Sequence, residues 1–142
     1  MQVDFYHLAV APIERVLPRI GEKVVEEGGR LLIVADEPLL GRLDALLWTY
    51  AQDSFLPHGM DDAERQPILL STAVEPANGA RNVALADGVW REGALDFDRT
   101  FYFFDAARLD DARSAWRALG DREGVERRYW KQDEAGKWVQ GP

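Results

Sequence analysis

Residues 30–35, Arg30-Leu31-Leu32-Ile33-Val34-Ala35, form a near-continuous apolar run set directly between two helical patterns. A strand covered on one face alternates apolar with polar residues, whereas a strand covered on both faces does not. This run therefore belongs in the interior of a sheet with helices above and below it. On its N-terminal side Ile13, Val16, Leu17, Ile20 and Val24 recur at steps of three and four, one apolar stripe along a helix. Pro12 suits the first turn of that helix and Gly28-Gly29 its termination. On the C-terminal side Asp36 is a candidate N-cap, with Pro38 in the first turn. Leu39, Leu40, Leu43, Leu46 and Leu47 make a second stripe ending near Trp48 or Tyr50. Val3-Asp4-Phe5-Tyr6-His7-Leu8 precedes all of this as a first strand.

Four consecutive elements thus read β-α-β-α, and strands joined by helical crossovers run parallel. Pro67–Ser71, Asn82–Ala86 (closed by Asp87-Gly88) and the aromatic Thr100–Phe104 add three more strands. A helix is expected from about Ala107 to Glu123, with Gly124 as its terminator. Val125 to Val139 alternates polar with apolar residues around a turn at Glu134-Ala135-Gly136, a terminal strand or a hairpin. The long irregular stretch is Ser54 to Gln66. The fold class expected is α/β, a three-layer α/β/α arrangement around a mostly parallel sheet, in one domain spanning 1–142.

A sheet of this type invites a nucleotide, and the phosphate chemistry is missing. The first strand-to-helix connection, Leu8-Ala9-Val10-Ala11-Pro12, has neither glycine nor lysine, so no backbone N–H cradle or Lys–Ser/Thr pair can form there. No G-x-G-x-x-G occurs anywhere. The absence of cysteine excludes disulfides, thiolate nucleophiles and zinc ribbons. Ser54 and Ser71 lie outside any nucleophile elbow. His7 and His58 are the two histidines, and either one as a general base is the enzymatic alternative. No spacing supports a metal site, and no cofactor is expected. No apolar run approaches the roughly 20 residues that span a bilayer, and the N-terminus lacks a signal-peptide pattern. A soluble cytoplasmic protein without membrane contact is the expectation.

Binding features are more informative. The formal charge is −8, but residues 108–142 hold 8 of the 17 Lys and Arg and only 7 of the 25 Asp and Glu. The overall charge disfavours direct nucleic-acid binding, and an anionic partner is expected at this last quarter. Within the last helix Arg113, Trp116 and Arg117 stand at i, i+3 and i+4, a spacing that groups them. Ala112, Ala115 and Leu119 serve its core side. Guanidinium groups around an indole suit a carboxylate that carries an apolar side chain. By spacing alone a second reading stands beside this one, with Trp116 in the core and the arginines solvated. Trp48, Phe55, Leu56 and Pro57 offer another choice, a protein contact or a loop anchored in its own core.

An ordered series of segments carries a resemblance. Leu43-Asp44-Ala45-Leu46-Leu47-Trp48, Ser54-Phe55-Leu56-Pro57-His58-Gly59 and Gln66-Pro67-Ile68-Leu69-Leu70-Ser71 are its most specific part. Val3–Leu8, Gly29–Ile33, Asn82–Leu85, Phe104-Asp105, Ala112-Arg113-x-x-Trp116-Arg117, Tyr129–Gln132 and Gly136–Trp138 extend it over essentially the whole chain. In these residues the chain resembles the chi subunit family of bacterial DNA polymerase III. The resemblance implies a non-catalytic accessory subunit of the clamp-loader assembly. It implies two partners, the psi subunit and the acidic, phenylalanine-ended C-terminal tail of single-stranded-DNA-binding protein. Carried over by position, the tail site falls on Arg113, Trp116 and Arg117. The psi surface falls on Trp48, Phe55, Pro57 and His58, and a repair helicase is a further partner for that same surface. Leu109 departs from the pattern, standing where relatives can carry a base.

Overall fold

Side-chain alternation along the central strands sorts the core into two halves. In the computed structural model, which describes residues 1–49, 58–60 and 66–141, the strand Leu31–Val34 (β2) is buried throughout. Leu31 and Ile33 pack with Leu17, Leu40 and Leu43 from the helices Ile13–Glu26 (α1) and Glu37–Thr49 (α2). Leu32 and Val34 face the other way, toward Ala112, Ala115 and Leu119 of the helix Leu109–Gly120 (α3). The two-sided cover that the apolar run demands is thus supplied, and each fully buried leucine contributes roughly 1.5–3 kcal/mol. Gln2–His7 (β1) and Arg99–Phe104 (β6) divide in the same way. Tyr6, Phe101 and Phe103 point to the α1–α2 side, Phe5, Tyr102 and Phe104 to the α3 side.

The remaining strands are His58–Gly59 (β3), Ile68–Ser71 (β4), Asn82–Leu85 (β5), Glu126–Gln132 (β7) and Trp138–Gln140 (β8). They form one sheet in the order β3-β4-β2-β5-β6-β1-β7-β8. Every pairing is parallel except β7 with β8. The architecture is three-layer α/β/α, as the sequence implies. Asp36 caps α2 by accepting the Leu39 N–H at 2.9 Å, and Pro12 occupies the cap position of α1 just before its first helical residue. Pro18 sits inside α1 without ending it. It cannot donate to the Glu14 carbonyl, one turn back.

Two local readings are revised and one open choice is resolved. The last helix is shorter than the expected 107–123. Asp105 accepts the Ala107 N–H at 3.0 Å and starts a separate 3-10 turn, Ala106–Arg108, ahead of α3. At the other end the Arg122 N–H bonds back to Leu119, and Gly124 with φ +78° reverses the chain into β7. Second, of a terminal strand or a hairpin, the tail takes the hairpin, β7 with β8. β7 adds to β1 in parallel, and Asp133 closes the turn by accepting the N–H groups of Ala135 and Lys137, each at 2.9 Å. Third, the stretch read as irregular contains a short edge strand, β3, paired to β4.

Candidate functional site

Strand alternation places Arg127, Tyr129 and Lys131 of β7 on the α3 side of the sheet. Together with α3 and the end of β1, Tyr129 and Lys131 bound a cavity of about 420 Å³, lined by His7, Leu109, Ala112, Arg113, Trp116, Tyr129 and Lys131. Its wall is apolar and aromatic, and its cations are Arg113 and Lys131, both exposed. Trp116 is half-buried and fixed edge-on against Phe5 at 5.1 Å and Tyr129 at 6.0 Å between ring centres. The Arg127 guanidinium lies 4.1 Å from the centre of the indole and also donates to the Trp116 carbonyl. Gly120 leaves the room for this, since a Cβ there would come within 2.9 Å of that guanidinium.

Arg113 and Trp116 therefore meet in one cavity, while Arg117 is exposed and outside its lining. The expected trio does not assemble. Helix geometry gives the reason. At 100° per residue Trp116 stands about 60° from the centre of the Ala112–Ala115–Leu119 stripe, Arg113 about 120° and Arg117 about 160°. Arg117 thus points nearly straight away from the sheet, and Arg127 from β7 is the guanidinium on the indole.

His7, which the sequence offers only as a candidate base, also lines the cavity. Its ring stacks on Phe104 at 5.1 Å, and its Nδ1 lies 3.1 Å from the Tyr129 hydroxyl. Burial holds its pKa below the usual histidine value. Asp105 opposes that shift, and the nearby Lys131 and Arg113 add to it. At neutral pH the ring is uncharged and adds a hydrogen-bonding group to a cavity already cationic. The tyrosine hydroxyl is pushed upward by burial, against Arg113, and stays protonated.

His58 is elsewhere. Five strand steps separate β3 from β1, roughly 24 Å at ordinary strand spacing. The two histidines therefore cannot share a catalytic centre. His58 is 5% exposed, with Nε2 3.3 Å from the Asp44 carboxylate of α2. Its side chain is buried in the segment that the resemblance gives to psi. Trp48 lies near the end of α2, and Phe55 and Pro57 fall outside the described residues.

The crevice where a nucleotide would sit in this kind of sheet, beyond the C-terminal ends of β1, β2, β5 and β6, is open at about 510 Å³. Its charged lining is Glu14, Asp36, Asp87 and Asp105 against one cation, Arg42. Asp87 takes two hydrogen bonds from Arg91, both at 2.8 Å, and the backbone N–H groups of Val89 and Asp36. Burial works to raise its pKa, and these bonds carry it below the usual carboxylate value. It is therefore ionised at neutral pH. A lining of four carboxylates against one cation repels phosphate. Among the described residues no cluster of His, Cys, Asp and Glu is arranged to hold a metal ion, and no helix is long and apolar enough to cross a membrane.

Fold and cavities together define a nucleotide-type α/β domain with an acidic switch-point crevice and a cationic, aromatic cavity on its flank. Residues 1–126 match the family described as DNA polymerase III chi subunit, HolC, and the chain belongs to that family. A relative from Pseudomonas aeruginosa, DNA polymerase III subunit chi, is 35% identical over 83 residues. That match covers 54% of this chain and 58% of the relative, so it spans little more than half of each. The α3 wall of the cavity lies inside the family match. Tyr129 and Lys131, on β7, lie beyond it.

Proposed function

We propose that this protein is a non-catalytic accessory subunit of DNA polymerase III acting in DNA replication. It ties the clamp loader, through psi, to the C-terminal tail of single-stranded-DNA-binding protein. The observation that carries the reading is the meeting of Arg113, Lys131 and Trp116 in one cavity. A carboxylate-ended tail with an aromatic last residue matches this site in charge, size and polarity. Arg113 and Lys131 receive the terminal carboxylate. The ring lies against Trp116, Leu109 and Ala112. Arg127 holds the indole in place from behind, as a positioning residue. Burying one ring supplies roughly 2–3 kcal/mol, and each charge-assisted hydrogen bond about 1.5–3 kcal/mol. After ordering costs the expected affinity is micromolar, and it weakens with salt.

Trp48 at the end of α2, with Phe55 and Pro57 after it, is the proposed psi surface, and His58 supports it from inside through Asp44. A repair helicase is a further candidate for the same surface. Direct binding to nucleic acid is expected to be weak because of the −8 charge.

A synthetic tail peptide, compared with its C-terminal amide by fluorescence anisotropy, tests the reading. The free acid is expected to bind about tenfold or more tightly than the amide, the worth of one charge-assisted bond. Equal affinities would remove the carboxylate from the site and the reading with it.

A further inference from the structure

The hairpin of β7 and β8 has a second face, and it too borders a groove. This one, of about 730 Å³, runs between the hairpin and α1 on the side of the sheet away from α3. Its apolar floor includes Tyr6, Ile20 and Trp138, all half-buried, with the indole edge-on to the Tyr6 ring at 5.1 Å. Val10, 55% exposed, stands at one end. Arg15, Arg19 and Lys23 line the α1 wall, spaced four residues apart and all exposed. Their charges therefore follow one another about every 6 Å along the helix.

This row is not explained by the fold. Like charges at i, i+4 destabilise a helix. Glu22, Glu26 and Glu27 are close in sequence, yet among the described residues no ion pair within 4.0 Å joins an acid to any of the three cations. The one acid in the lining is Glu14. In a chain with a formal charge of −8, three unpaired cations beside an exposed valine and a half-buried tryptophan form a local inversion of sign.

We infer that the groove between α1 and the β7–β8 hairpin is a second docking surface, and that it takes an acidic polypeptide segment bearing apolar or aromatic side chains. Charge complementarity selects the acids, and the Tyr6–Trp138–Ile20 floor takes the apolar groups. A polypeptide fits better than single-stranded nucleic acid, because the Tyr6 ring presents no open face for a base. It is flanked by Phe103 and Trp130 at near-parallel angles of 21° and 14° and covered edge-on by Trp138. The surface lies on the opposite side of the sheet from the α3 cavity and does not depend on the function proposed for it.

The test uses the full chain and a fluorescein-labelled peptide of glutamates interspersed with tyrosines, acetylated and amidated so that it has no free carboxyl end. Three variants are compared with wild type: the charge reversal Arg15→Glu, Arg19→Glu, Lys23→Glu; its neutral counterpart Arg15→Gln, Arg19→Gln, Lys23→Gln; and Arg113→Ala. The reversal is expected to weaken binding by about tenfold or more and the neutral set by a smaller factor, both with an unchanged far-ultraviolet circular dichroism spectrum. Arg113→Ala is expected to bind as wild type does, and a peptide of glutamates alone more weakly. The inference is overturned if wild type does not bind the peptide or if the neutral set binds it equally well. It is also overturned if Arg113→Ala abolishes binding, or if oligothymidylate displaces the peptide at a lower concentration than unlabelled peptide does.

Discussion

The switch-point crevice and the α3 cavity sit on one sheet, a few strands apart, and are opposite in sign. The crevice has the position and size of a nucleotide site, and its charged lining is four carboxylates against Arg42. The cavity lies off to the side, where such folds carry no ligand by topology, and its charged lining is Arg113 and Lys131. The difference shows how a fold and its function part company. Strand order makes a crevice at the point where it reverses, but only side chains and backbone N–H groups can make that crevice bind phosphate. Here the positions that face it hold aspartate, and Asp87 is given over to the scaffold through Arg91 and the N–H of Asp36. Cationic and aromatic side chains instead collect where β7 pairs with β1, which brings Tyr129 and Lys131 up to α3.

The largest expected effect separates scaffold from site. Asp87→Ala leaves Arg91 without its partner and two backbone N–H groups unsatisfied, and should cost about 3 kcal/mol of stability, read by urea denaturation. Tail-peptide affinity should be unchanged. The native pKa of Asp87 lies below its unfolded value of about 3.9. Its contribution is therefore fully present above that value and is lost as pH falls through the native pKa. Denaturation curves at falling pH should bring wild type and Asp87→Asn closer together in acid. A crevice that bound the tail would instead make Asp87→Ala a binding mutant.

Next comes Arg113→Ala, expected to weaken tail binding by about 10- to 100-fold with stability changed by less than about 0.5 kcal/mol, measured by calorimetry and by thermal melting. Arg117→Ala, by contrast, should change neither, because Arg117 lies outside the cavity. Reversed sensitivities would mean that the tail lies on the outer face of α3.

The smallest effect belongs to His7. Its pKa lies below about 6.5, so the ring is neutral at pH 7.5 and gains a proton as the solution is acidified. A third cation then faces the tail. Affinity should rise as pH falls below about 6.5, and His7→Gln should flatten the profile. A fall in wild-type affinity over that range would exclude His7 from contact with the acid.

Much of this layout is legible in the residues. The apolar run at 30–35, the stripes of α1 and α2 and the aromatic strand ending at Phe104 specify a parallel sheet with two covers, because each pattern has one physical solution. Arg113 and Trp116 can be singled out as a pair on α3, and the missing phosphate loop can be read directly. Other features resist. The grouping of Arg117 with them fails, because i, i+4 spacing says which residues are neighbours and not which way the pair points. The Ala112–Ala115–Leu119 stripe held that information, and so did the alternation Arg127–Tyr129–Lys131 for β7. The partner of β7 could not be read, because a half-exposed strand has the same pattern whether it pairs with β1 or β6. β3 is two residues long, too short for any periodicity. The acidic crevice is assembled from four separate loops and helix starts, and no stretch of sequence shows it.

In the proposed function the tail enters the α3 cavity and leaves the crevice empty. The most direct test is a two-dimensional 15N–1H spectrum of the labelled chain during titration with the tail peptide. The five tryptophan indoles serve as separate reporters. The Trp116 indole and the amides of Arg113, Tyr129 and Lys131 should shift together and saturate at micromolar peptide, while those of Asp36, Asp87 and Gly88 stay in place. Shifts centred on Asp36 and Asp87, with the Trp116 indole unmoved, would contradict it.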